Sequence, residues 1–298
     1  RARSDRIPEV KVSMTAYRKD LLVVLGLAMS PLIALGYSRF AYALLLPAMR
    51  SELHWSFTTA GLMNTVNAVG YLVGALGTAW LAARVGQRAA FVGALVVTVL
   101  GLAATAATTS LNLLLAARTV LGAAGAVAFV VGGAITSTIC RRHLAHQSAV
   151  LIGTYFAGGG VGIVASGFAV PAILDRQGAP GWQLGWVALA ILAAIGTLAA
   201  AWAAYAAPTT APQRGPRRPR PRGLGWLASG YLLFGAGYIG YMTFIVALLT
   251  QLGNPPRAIT AFWVLLGVAG SISGSVWAGL LKTAVGGSAA AVLFVLLA

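Results

Sequence analysis

Residues 21–47 read LLVVLGLAMSPLIALGYSRFAYALLLP. The run from Leu21 to Leu46 is long enough to cross a bilayer as a helix, which takes about 20 apolar residues. It is apolar nearly throughout, yet Arg39 stands inside it. Similar runs follow along the chain. Spans are expected near 21–46, 57–81, 89–109, 112–139, 148–171, 183–205, 225–249 and 258–281, with a ninth starting near 288. Lipid offers the backbone no hydrogen-bond partner, so each run is predicted to be helical.

Composition supports this reading. The chain is 59% hydrophobic and 9% charged, with mean hydropathy +0.84. A soluble domain carries about 25% charged residues. The predicted fold class is therefore an all-α membrane protein, a helical bundle.

The net charge of +16 invites a nucleic-acid reading, but the placement of the charge argues against one. Sixteen of the 21 Lys and Arg fall in the N-terminal tail and in the loops near 84–88, 140–146, 206–224 and 282–287. The intervening loops hold only Arg50, Arg176 and Arg257, and Arg39 and Arg118 lie within spans. This alternation is the positive-inside pattern, with the N-terminus cytoplasmic. The expected location is the bacterial inner membrane, multi-pass, with no nucleic-acid partner. Single cysteines introduced at Gln213 and Asn254 are predicted to label from opposite sides of the membrane. Labelling from one side would overturn both the helix count and the orientation.

Cys140 is the lone cysteine, which excludes a disulfide framework within the chain. No cofactor and no metal site is expected. His143 and His146 sit in a cytoplasmic loop without acidic or thiol partners in sequence, a poor basis for a metal centre or an enzyme. The tail 1–20 lacks a cleavage-site pattern. Met14 leads directly into the first span and reads as a natural start.

The chain is expected to be a fragment that breaks in its ninth span, and to need further helices for transport. An internal repeat underlies this expectation. GYSRF at 36–40 resembles GYIGY at 237–241; Gly70, Gly77 and Trp80 match Gly267, Gly274 and Trp277 at nearly the same offset. The organisation reads as a six-helix bundle over 21–206, a basic Pro-rich linker over 207–224, and the start of a second bundle over 225–298.

Two six-helix pseudo-repeats joined by a basic loop resemble the major facilitator superfamily. Arg84, Gly86 and Arg88 in AWLAARVGQR (79–88) match its loop after the second span, although Ala79 and Ala83 stand where that pattern has glycine and an acid. Arg118 and Gly122 match its R-x-x-x-G motif in the fourth span. The fifth span lacks the Gly-Pro pair of drug exporters. Gly36, Arg39, Phe40, Tyr42, Leu45, Leu46 and Pro47 resemble the first helix of the YbfB/YjiJ-like bacterial branch. The resemblance implies a secondary transporter working by alternating access and not an enzyme, with a small solute as its partner in the bilayer. It implies a monomer and a coupling proton or other ion. A drug or metabolite exporter driven by proton antiport is the alternative; a channel or a non-transporting sensor are the remaining classes.

Small residues let helices approach closely in lipid. Gly158, Gly162 and Ser166 form one such ridge, and Gly267, Ser271, Ser275 and Gly279 another. In the superfamily the fifth and eighth helices meet across the halves, so these ridges are candidates for a sliding or gating surface. Tight packing within one half is the competing reading.

Depth along the helices groups the polar residues. Arg39 lies eight residues before Pro47, ~12 Å in by helical rise. Tyr42, Asn64, Asn67, Arg118 and Tyr241 fall at similar depth from the same face. Together they are the expected substrate-binding layer. Asp5, Glu9, Asp20, Glu52 and Asp175 all lie outside spans or at their ends, so no visible membrane carboxylate pairs with Arg39 or Arg118. Arginine suits bidentate carboxylates, which points to an organic anion. Arg118 has a competing reading as a brace that binds backbone carbonyls of the first helix.

Overall fold

The computed structural model describes residues 14–208 and 224–283, and these are helical with no strand among them. The expected ninth span lies outside the described residues, as does most of the linker. The helices are α1 (Met14–Glu52), α2 (Phe57–Val85), α3 (Gln87–Ala106), α4 (Leu111–Cys140), α5 (Ala145–Gln177), α6 (Trp182–Ala206), α7 (Leu224–Gln251) and α8 (Pro256–Thr283). Among the described residues, seven helices are long and apolar enough to cross a membrane, and α7 is a further 28-residue helix. The bundle thus has a linker end, where α6 stops and α7 begins, and a far end, where α1 meets α2 and α7 meets α8.

Local chemistry places the breaks. Ser56 caps α2 by accepting from the Thr59 amide at 3.1 Å. Gly86 ends α2 with φ +86°, a conformation that suits glycine alone. Gly178 closes α5 in the same way, with φ +67°. α1 begins at Met14 rather than Leu21, so residues 14–20 of the expected tail are helical. Nothing in MTAYRKD breaks a helix, and Asp20 is held by His143 at 2.7 Å.

α1 is not uniform. Leu32–Phe40 is wound as π-helix, with the Ala41 amide bonding back to the Gly36 carbonyl. Pro31 precedes it and supplies no N–H, which interrupts the ladder. Arg39 therefore projects from a widened turn, a feature that hydropathy does not encode.

Small residues set the packing. Gly70 and Gly74 of α2 abut the backbone of Thr119 and Ala123 in α4, and Gly122 abuts Asn67 and Tyr71 in return. The two ridges expected to form one surface are separated. Gly158 and Gly162 face α1, against Ala28, Leu32 and Gly36. This is tight packing inside the first half. The neighbouring Gly160 instead meets Gly267 and Ser271 of α8, and the Ser271 hydroxyl lies 3.3 Å from the Ala157 carbonyl. The α5–α8 seam exists, but Gly160 carries it, one face away from the ridge that spacing had singled out.

Buried threonines bond back to their own helix, as Thr98 does to Ala94 and Thr136 to Gly132, so their hydroxyls need no partner helix. Leu72, Val73, Leu76 and Trp80 leave the outer face of α2 apolar and exposed, which suits lipid rather than water.

Candidate functional site

The polar layer forms where α1, α2, α4 and α7 converge, nearer the far end. The half-buried Arg39 guanidinium lies 5.3 Å from the Tyr71 ring centroid and 6.0 Å from that of Phe40. Both are cation–π distances. Among the described residues the one ion pair is His143–Asp20, so no carboxylate neutralises Arg39 there.

Around it the helices are tied by short polar bonds. The Tyr42 hydroxyl donates to the Ala60 carbonyl at 2.8 Å, joining α1 to α2. The Asn67 amide donates to the Arg118 carbonyl at 2.9 Å, joining α2 to α4. The Asn64 amide donates to the Thr243 hydroxyl, joining α2 to α7 across the two repeats. The Thr243 hydroxyl in turn donates to the Ile239 carbonyl at 2.6 Å. Phe40 meets Tyr238 edge-on at 6.2 Å.

Arg118 is fully buried. Its Nη1 donates to the Ser38 carbonyl at 2.6 Å, inside the π-helical segment. Its guanidinium lies over Tyr42 and Trp186, at 4.8 and 5.7 Å. This is the geometry of the brace reading: a cation from α4 donating to a backbone carbonyl of α1. Nε and Nη2 have no hydrogen-bond partner among the described residues.

Arg39, Tyr42 and Asn64 line one small cavity, joined by Tyr238, Met242 and Thr243. Its volume is about 10 Å³, the space of one water. Asn67 and Arg118 stand behind this cavity rather than on it. Tyr241 is not brought to it: its side chain is 52% exposed and lines a separate groove with Phe57 and Phe244. Tyr238 takes the place that depth had assigned to Tyr241. Thr243 was also missed, although a hydroxyl in mid-α7 was the available signal.

The loop motif has structural work. Arg88 donates to the carbonyls of Ala204, Tyr205 and Ala207 at 2.9, 3.1 and 2.6 Å, and so caps the C-terminus of α6. Arg84 lies over Trp80 at 5.2 Å. Gly86 makes the turn between them. Because α6 carbonyls receive Arg88, this contact needs no acid at Ala83. No cluster of His, Cys, Asp or Glu among the described residues could hold a metal ion.

Residues 31–298 match the model of the family described as "Uncharacterised MFS-type transporter YbfB". No curated protein matches the chain. Among solved structures, the fold is similar to a bacterial homolog of the human lysosomal transporter Spinster. The inward-facing, unoccupied form has TM-score 0.61 and 19% identity, covering 89% of this chain and 61% of that one. The inward-facing, occupied form has TM-score 0.64 and 18% identity, covering 86% and 59%. The chain thus spans less than two thirds of the length of these structures, and at such identity the likeness is one of fold.

Proposed function

The chain belongs to the YbfB family of MFS-type transporters, a family of multi-pass membrane proteins, and from that membership we propose a secondary transporter that carries a small organic anion by alternating access. The observation that carries the anion is Arg39. Its fork stands where α1, α2 and α7 meet, beside the Asn64 amide and the Tyr42 and Tyr238 rings, with no carboxylate partner among the described residues. Even a half-buried cation without a counter-ion carries a desolvation cost, and a bound carboxylate offsets it. Arg118 is the brace that fixes the turn carrying Arg39, and Asn67 holds Arg118's own helix in place.

The basic residues of the tail and linker support a linker end on the cytoplasmic side of a bacterial membrane. The far end then faces outward, and the contacts Phe40–Tyr238 and Asn64–Thr243 join α7 to α1 and α2 on the way to it. A cavity of about 10 Å³ holds no organic anion, so α7 must part from α1 and α2 for binding. The α5–α8 seam at Gly160, Gly267 and Ser271 supplies a smooth contact about which the halves rock. An ion or counter-substrate gradient drives the cycle, and the chain works as a monomer.

Counterflow in liposomes tests this. Full-length protein is expected to accumulate a labelled mono- or dicarboxylate against the same unlabelled anion, and to ignore amines of matching shape. Accumulation of amines, with none of carboxylates, would overturn the anion assignment.

A further inference from the structure

A cavity much larger than the one at Arg39 lies elsewhere. It opens at the far end between the two repeats and has a volume of about 420 Å³. That falls within the range of small-molecule sites. Its floor is apolar and buried: Leu44 and Ala48 from α1, Val246 from α7 and Ile259 from α8. Its rim is polar and formed by Asp175 of α5, Thr250 of α7 and Asn254 of the α7–α8 turn.

The hydrogen-bond inventory of that rim is one-sided. Thr250 has spent its proton on the Val246 carbonyl at 2.8 Å. Asn254 has spent an amide proton on the Leu249 carbonyl at 3.1 Å. What remains at the rim is chiefly acceptor: the hydroxyl lone pairs, the amide oxygen and the Asp175 carboxylate, beside the second Asn254 N–H. The Ser51 hydroxyl, also on the rim, turns to suit either role. Asp175 has no ion-pair partner among the described residues, and its neighbour Arg176 does not line the cavity, nor does Arg257. An apolar pocket edged by acceptors and one carboxylate calls for a ligand with an apolar body and a cationic donor.

We propose that this cavity binds a hydrophobic amine, its ammonium on Asp175 and Thr250 and its hydrocarbon against Leu44, Val246 and Ile259. Such a ligand touches α1 and α5 of the first repeat and α7 and α8 of the second. It holds the far end shut and acts on the cycle from outside the Arg39 site. The carboxylate repels an organic anion, so the two sites select opposite charges. The proposal does not depend on the anion reading.

The test uses full-length protein in lipid nanodiscs and three probes of one shape: 1-adamantylamine, adamantane-1-carboxylate and 1-adamantanol. The amine is expected to raise the melting temperature saturably, and the acid and alcohol to leave it unchanged. Asp175→Asn is expected to weaken the amine about tenfold or more, since it removes a charge-assisted bond. Thr250→Val, on the other repeat, is expected to weaken it several-fold. Both positions are exposed, so the unliganded variants are expected to melt like wild type. An amine response unchanged in Asp175→Asn, as simple partition into lipid would give, overturns the site. So does equal binding of the carboxylate. An unchanged response in Thr250→Val overturns the bridge between repeats.

Discussion

Gly122→Val is expected to abolish most folded protein in the membrane, while Gly77→Ala raises the melting temperature. The two glycines look alike in sequence, both inside apolar spans. A Cβ on Gly122 would run into the Asn67 carbonyl and the Tyr71 amide, which are backbone atoms of α2 and cannot swing aside. A Cβ on Gly77 meets nothing within 4 Å. The α2–α4 contact is reciprocal, with Gly70 on Thr119 and Gly74 on Ala123, so spreading it at Gly122 loosens about two turns. Overpacking costs about 1–3 kcal/mol in ordinary cores, where side chains can yield. Here the obstacle is backbone, and lipid supplies no hydrophobic drive to hold the helices together. Separation also strains the Asn67–Arg118 and Arg118–Ser38 bonds, each worth about 1 kcal/mol or more. The loss is expected to be on the order of 3–5 kcal/mol. Gly77→Ala gains helix propensity, up to about 1 kcal/mol. Fluorescence-detected size exclusion after heating reads both. A Gly122→Val variant that stays monodisperse at the wild-type midpoint would refute the backbone contact.

Membrane depth was legible in the sequence, and azimuth was not. The runs of apolar residues locate the helices, and counting from loops puts Arg39, Asn64, Asn67 and Arg118 at one level. Which way each residue points is harder. In a soluble helix the polar face marks the outside. In lipid the outside is apolar too, so α7 presents no contrast by which Tyr238 and Tyr241 are told apart. The same ambiguity hid Gly160. Three consecutive glycines, Gly158 to Gly160, point about 100° apart, and spacing alone does not say which of them meets α8. The π-turn that carries Arg39 was illegible for another reason. Pro31 precedes it and Gly36 within it fits closely on Gly162, and only the first of these is local. Arg118 was readable as a brace or a ligand contact. The bond from Arg118 to the Ser38 carbonyl is what favours the brace.

Arg39→Leu is expected to weaken anion binding roughly a hundredfold, and Arg39→Lys about tenfold. A fork that meets a carboxylate with two charge-assisted bonds loses both in leucine and keeps a point charge in lysine. Neither change is expected to disturb the fold, because the contacts of Arg39 are the faces of Tyr71 and Phe40, which an apolar side chain also covers. Arg118 is the internal contrast. Arg118→Leu leaves the Ser38 carbonyl without its donor but also removes a fully buried cation, so its melting temperature reflects the small difference between two large terms. Its effect on binding is indirect, through the turn it fixes. Affinities for a panel of mono- and dicarboxylates, measured on full-length wild type and on these variants, separate the roles. If Arg39→Leu binds the transported anion as tightly as wild type, the cation serves packing at the α1–α2 contact and the anion must be recognised elsewhere.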